Sequence, residues 1–146
     1  MKPETHVNNR FRDAVRPVIP GILIEKTNNP YKGGILDLYV EHFRFVGWIE
    51  TKHSKRKARA EQVLPTAAIV NKVSKLQEER FIMHLNNEIP CFLLCGFDGI
   101  NAQNRTYAAI EPQLDGDNVW WPSQTTVLSK QGIVRFMTRW VRPYHE

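Results

Sequence analysis

Apolar positions recur at helical spacing near both ends of the chain and at strand spacing between them. Val7, Phe11, Ala14, Val15 and Val18 share one side of a first helix, which Thr5 would cap and Pro17 would end. The runs at 22–25, 35–40 and 46–51 read as strands, with a turn-rich loop at 28–34 and a tight connection through His42 and Arg44. Ser74-Lys75-Leu76-Gln77 has the spacing of a capping box and predicts a helix to about Asn86. Strands follow at 91–95, after Pro90, and at 105–111, with a turn at 96–99 and a loop at 114–118. Ser129 would cap a last helix with Ile133, Phe136, Met137 and Trp140 on one stripe. Residues 54–65 read as a mobile basic loop and 67–73 as extended. The order helix, three strands, helix, strand predicts an α+β fold, a small mixed β-sheet flanked by helices. Neither an internal repeat nor a linker divides the chain, so residues 1–146 are expected to form a single domain.

Composition narrows this little. The chain has 146 residues, 42% of them hydrophobic and 24% charged, enough for a packed core and unlike a disordered chain. Its net charge of +5 suits an anionic partner without choosing one. The longest apolar runs are too short to span a bilayer, and the first residues lack the apolar stretch of a signal peptide, so a cytoplasmic location is expected. Cys91 and Cys95 would share a strand face roughly 13 Å apart, beyond disulfide reach. Two buried free thiols are the expectation.

The chemistry concentrates around residue 50. Twelve residues separate Asp37 from Glu50-Thr51-Lys52. On adjacent strands, this spacing can bring two carboxylates and an ammonium to one sheet end. Side chains alternate along a strand, so Glu50 and Lys52 share a face and Thr51 takes the other. Asp37, Glu50 and the Thr51 backbone carbonyl make an oxygen donor set suited to Mg²⁺ or Mn²⁺, with room for water and phosphate. Such a cation polarises a phosphodiester and acidifies a bound water. Lys52 would orient or activate that water, or stabilise developing charge.

These residues resemble the PD-(D/E)XK nuclease signature, and more narrowly a phage-type, standalone VRR-NUC domain. Three stretches carry the resemblance: residues 28–40 with their glycines and Asp37, residues 47–53, and residues 73–77 with Gln77. It covers about residues 20–99, leaving 100–146 as a C-terminal extension packed on the core. The resemblance implies a restriction-endonuclease-like core and metal-dependent hydrolysis of structured or branched DNA, like a Holliday junction resolvase. It also implies a homodimer, with Gln77 beside the metal. The chain departs from the pattern in two places. Leu36 stands where the family usually has Pro, and Asn8 and Asn9 occupy the stretch of the first helix where many members carry a Glu. Glu4 falls early for that role, and Glu25 falls on the following strand.

Each feature also has a plainer reading. A Glu-x-Lys pair on an edge strand is commonly a solvated ion pair. Gln77 can act simply as the partner of Ser74 in the capping box. His53 can touch phosphate or be an ordinary surface histidine. The run from Lys52 to Arg59 holds five Lys or Arg and no acid; as a solvated loop it needs no ligand, and beside a nuclease site Lys55, Arg56, Lys57 and Arg59 become a DNA clamp. Lys32 is a further DNA-binding candidate, as are Lys130, Arg135 and Arg139 on the side of the last helix away from its apolar stripe. The alternative function is a non-catalytic DNA-binding protein on a nuclease fold.

Overall fold

The structure is a computed structural model that describes residues 2–27, 34–99 and 105–142. Helix α1 (Pro3–Val15) begins two residues before Thr5, because Pro3 has a preset φ and lacks only an amide that the first turn leaves unbonded anyway. It buries Val7, Phe11, Ala14 and Val15. Strands β1 (Leu23–Lys26), β2 (Leu38–His42) and β3 (Phe45–Lys57) form an antiparallel meander. Phe43, at the turn between β2 and β3, has φ +52°. After β4 (Val63–Pro65), α2 (Ala67–Val70) and α3 (Lys75–Asn86), the chain returns as β5 (Cys91–Asp98), parallel to β3. Strand β6 (Thr106–Ile110) completes a five-stranded mixed sheet in the order β1-β2-β3-β5-β6. Two short antiparallel pairs lie outside it: β4 with β9 (Gln124–Thr126), and β7 (Gln113–Asp115) with β8 (Asn118–Trp120). Helix α4 (Lys130–Trp140) ends the described chain, with Ser129 accepting the Gly132 amide as predicted. The expected fold class, an α+β arrangement of a mixed sheet flanked by helices, is what the structure shows.

The sheet has a core on each face. On one, α1 and α4 pack Val7, Phe11, Ile133, Met137 and Trp140 over Val40, Ile49, Phe92 and Leu94. On the other, Phe81 of α3 joins Leu36, Leu64, Ile69, Leu93 and Phe97. Cys91 and Cys95 are buried, unpaired thiols in this second core.

Several boundaries differ from the sequence reading, and each difference has a non-local cause. Strand β2 starts at Leu38, so Asp37 precedes it; the Thr27 amide and hydroxyl hold the carbonyls of Asp37 and Leu36 there. Strand β3 runs on to Lys57 instead of becoming a loop at Ser54, because His53 and Ser54 pair with Gly96 and Phe97 of β5. Gly96 marks no turn: a Cβ there would lie 2.5 Å from a Val7 methyl carbon, so the glycine lets α1 approach the sheet. Residues 67–70 are helical, not extended, because burying Ile69 in the second core overrides the β-branched preference of Ile69 and Val70. Residues 114–118 belong to the β7–β8 hairpin, where Gly116 takes φ +62° in the turn.

Candidate functional site

The site lies on the α3 face of β3, at the step from β2. Asp37 stands at the entrance to β2, and its Oδ2 accepts the Thr51 amide at 3.0 Å. That bond ties the first acid to the strand bearing the second. Glu50 and Lys52 share a face as predicted, with Lys52 Nζ 3.5 Å from Glu50 Oε2. Thr51 turns the other way and donates its hydroxyl to Asn8 Oδ1 of α1, both side chains being buried.

Helix α3 completes the arrangement through Gln77, and both readings of that residue hold at once. Its Oε1 accepts the Ser74 amide at 3.0 Å while Ser74 Oγ accepts the Gln77 amide at 3.1 Å, which is a full capping box. Its Nε2 donates to Glu50 Oε2 at 2.7 Å. The cap therefore fixes the orientation of the amide that reaches Glu50. Gly34 seats the lead-in to Asp37 beneath this helix. It has φ +88°, and a Cβ there would lie 2.7 Å from the Leu76 carbonyl oxygen. Trp48 stacks on His84 at 5.4 Å, fastening the other end of α3 to β3.

The electrostatics are those of a buried acid crowded by a half-buried one. The Glu50 side chain is 2% exposed, and its carboxyl is pushed up to about 8. Burial is the main cause, the charge of Asp37 adds to it, and Lys52 opposes it. Asp37 is also raised, chiefly by burial, against the pull of the Thr51 amide. Glu50 Oε2 receives Gln77 and Lys52, whereas Oε1 is buried with no hydrogen-bond partner. A buried carboxylate oxygen left bare costs free energy unless a proton or a cation meets it.

Glu4, which the sequence reading set aside as too early, contributes here. From the first turn of α1 its charge raises both Asp37 and Glu50. The signal that could have found it is Pro3, which starts the helix early enough to put Glu4 in its first turn. Among the described residues, no group of three or more His, Cys, Asp or Glu side chains is placed to hold a metal ion. The third donor that the sequence named, the Thr51 carbonyl, is a backbone oxygen outside such a group.

The remaining candidates are more dispersed. His53 bonds Asp98 at 2.7 Å and is mostly buried, so its ring already has a partner. Lys55, Arg56 and Lys57 are exposed on the far end of β3, and Arg59 is exposed just beyond it. Lys32 lies outside the described residues. No helix among the described residues is long and apolar enough to cross a membrane.

No protein-family signature matches the sequence, and no curated protein does. Among solved structures, the chain is similar to Hjc of Archaeoglobus fulgidus, a Holliday junction resolvase from an archaeal hyperthermophile. The two are 10% identical, the match covers 92% of this chain and 99% of that one, and the TM-score is 0.39. The functional reading rests on the side chains themselves.

Proposed function

We propose that this protein is a metal-dependent endonuclease that hydrolyses phosphodiester bonds in DNA. The observation that carries the reading is the bare Oε1 of Glu50, buried beside a second, half-buried acid whose charge already disfavours its ionisation. Structural ion pairs saturate their carboxylates; this one leaves an oxygen open on the side away from Gln77 and Lys52. Two crowded carboxylates are stable together when a divalent cation neutralises both. Asp37 and Glu50 would hold Mg²⁺ or Mn²⁺, with the Thr51 carbonyl as a third donor. When bound, the ion supplies Lewis acidity to the phosphate and a more acidic water.

The chain's own residues do the rest. Gln77 holds Glu50 by one oxygen and leaves the other without a partner. The Thr51 amide fixes Asp37, and Asn8 fixes Thr51 from behind. Lys52 presents an ammonium beside the acid pair, where it orients the attacking water or offsets charge on the phosphate in the transition state. Branched DNA as the preferred substrate, and a homodimer that cuts two equivalent strands, follow from the sequence resemblance to VRR-NUC nucleases.

The test is a cleavage assay on synthetic four-way junction, flap and linear duplex DNA with Mg²⁺, Mn²⁺ or EDTA. Cutting should require the cation and fall about 100-fold to 1000-fold in Lys52→Ala, and at least as far in Asp37→Ala. DNA binding without metal-dependent cutting would assign the protein to the non-catalytic alternative. Cutting that survives Asp37→Ala would move the active centre elsewhere.

A further inference from the structure

Two cavities adjoin beyond the end of the site. One, about 420 Å³, lies between α1, β6 and the start of α4, and His6, Arg10, Arg105 and Lys130 line it. The other, about 620 Å³, lies where β3 and β5 end, and Lys57, Arg59, Arg105 and Lys130 line it. Arg105 and Lys130 line both, so the two cavities are neighbours, and together they are called the trough. Among the described residues its only carboxylates are Asp13 and Asp98, against five Lys or Arg. Asp98 is already paired with His53. Among the described residues, none of Lys57, Arg59, Arg105 and Lys130 forms an ion pair.

We infer that this trough binds the phosphate backbone of a DNA arm flanking the scissile bond. The inference rests on the nuclease reading for the identity of the polyanion, and it assigns the trough's cations a role separate from hydrolysis. Four features favour an extended polyanion over a small ligand. The cations come from elements far apart in the chain: α1, the end of β3, the approach to β6 and the start of α4. They line an open trough, not one closed pocket. Arginines predominate, and their planar forks match phosphate oxygens. Lys57 also lies seven residues beyond Glu50 on the same strand. Because β3 is irregular between Ser54 and Lys57, that stretch spans five residues of β5, from Leu93 to Asp98, about 17 Å of strand, or roughly five base pairs of duplex at 3.4 Å each. The trough thus lies past the end of β3 and turns toward the α1 and α4 side of the sheet, where an arm that leaves the acid pair and rounds that sheet end would pass. The extension of β3 to Lys57 makes this possible, since a mobile loop would hold the same charges in no fixed relation to the site.

The test measures binding of a fluorescent 20-base-pair duplex by anisotropy, in EDTA so that nothing is cut, over a range of salt. The chains compared are wild type, Arg105→Glu, Lys130→Glu, the double variant, and Arg44→Glu on the β2–β3 turn as a charge-matched control. The double variant should bind at least tenfold more weakly, and its log–log salt slope should be shallower by about two. Arg44→Glu should bind like wild type. Each variant's melting curve is taken alongside. If Arg105→Glu does not fold, Lys57→Glu with Lys130→Glu, both at exposed positions, replaces it. Unchanged affinity and slope in a folded double variant would overturn the inference. So would a wild type that binds no duplex, or one that prefers an acidic peptide to DNA at this surface. The nuclease reading is judged separately by metal-dependent cutting. A protein that cuts with the trough reversed and binds unchanged keeps its function and loses this surface; one that binds through the trough and never cuts does the opposite.

Discussion

Consecutive residues of β3 meet two different solutions to burial. Ile49 points into the core under α1 and α4, where Phe92, Leu94 and Met137 leave no polar atom to satisfy. Glu50 points under α3 and is as deeply buried, yet it carries an acid with one oxygen unpartnered. On the first face, removing contact with water is itself the stabilising term. On the second, burial of Glu50 itself is unfavourable, and Gln77 and Lys52 compensate only part of it. A strand that packs one side for stability and leaves the other short of charge has placed a binding demand on a rigid element.

The sharpest way to break that comparison is to truncate the packed side. Ile49→Ala should cost about 2–5 kcal/mol, read as a shift in the urea midpoint. While folded, the variant should keep its cation binding. If it loses cation binding as well, the two faces are not independent.

The acid side should respond in the opposite sense. Glu50 titrates near 4.5 when unfolded and is pushed up to about 8 when folded. The folded state therefore binds the extra proton between those values. The associated stability is fully present below about pH 4.5 and is lost as pH rises through about 8. In EDTA, Glu50→Gln should be more stable than wild type at about pH 8, by on the order of a few kcal/mol, and the advantage should shrink toward pH 5. Urea unfolding at several pH values measures this. A difference that does not change with pH would mean that Glu50 is not held as an acid under strain.

The smallest effect belongs to the cap. Ser74→Ala removes the oxygen that receives the Gln77 amide and should cost about 1 kcal/mol. It should also lower the cleavage rate modestly, because the first turn of α3 that carries Gln77 loosens while the Gln77 side-chain bond to the Ser74 amide remains. A stability loss with no change in rate would separate the cap from the site.

The spacing of Asp37, Glu50, Lys52 and Gln77 was readable because each lies on a short element with its own local signal. Glu-x-Lys puts two side chains on one strand face whatever the partner strand does, and Ser74 to Gln77 announces a helix start within four residues. The residues that read poorly depend on distant chain. The basic segment after Lys52 looks like a loop until β5 supplies its parallel partner more than forty residues later. Gly96 looks like a turn until Val7 arrives from α1. Asn8 occupies the stretch where a first-helix acid was sought, and its bond to Thr51 has no counterpart in any local pattern. The basic trough was the least legible feature, because Arg10, Lys57, Arg105 and Lys130 converge only after the sheet has formed.

The most direct measurement is a Mn²⁺ titration followed by the loss of free-ion electron paramagnetic resonance signal, at neutral pH and without DNA. Wild type should take up the ion saturably, and Asp37→Asn and Glu50→Gln should each abolish that uptake while remaining folded. Equal uptake by wild type and both variants would show that these two carboxylates do not grip a cation.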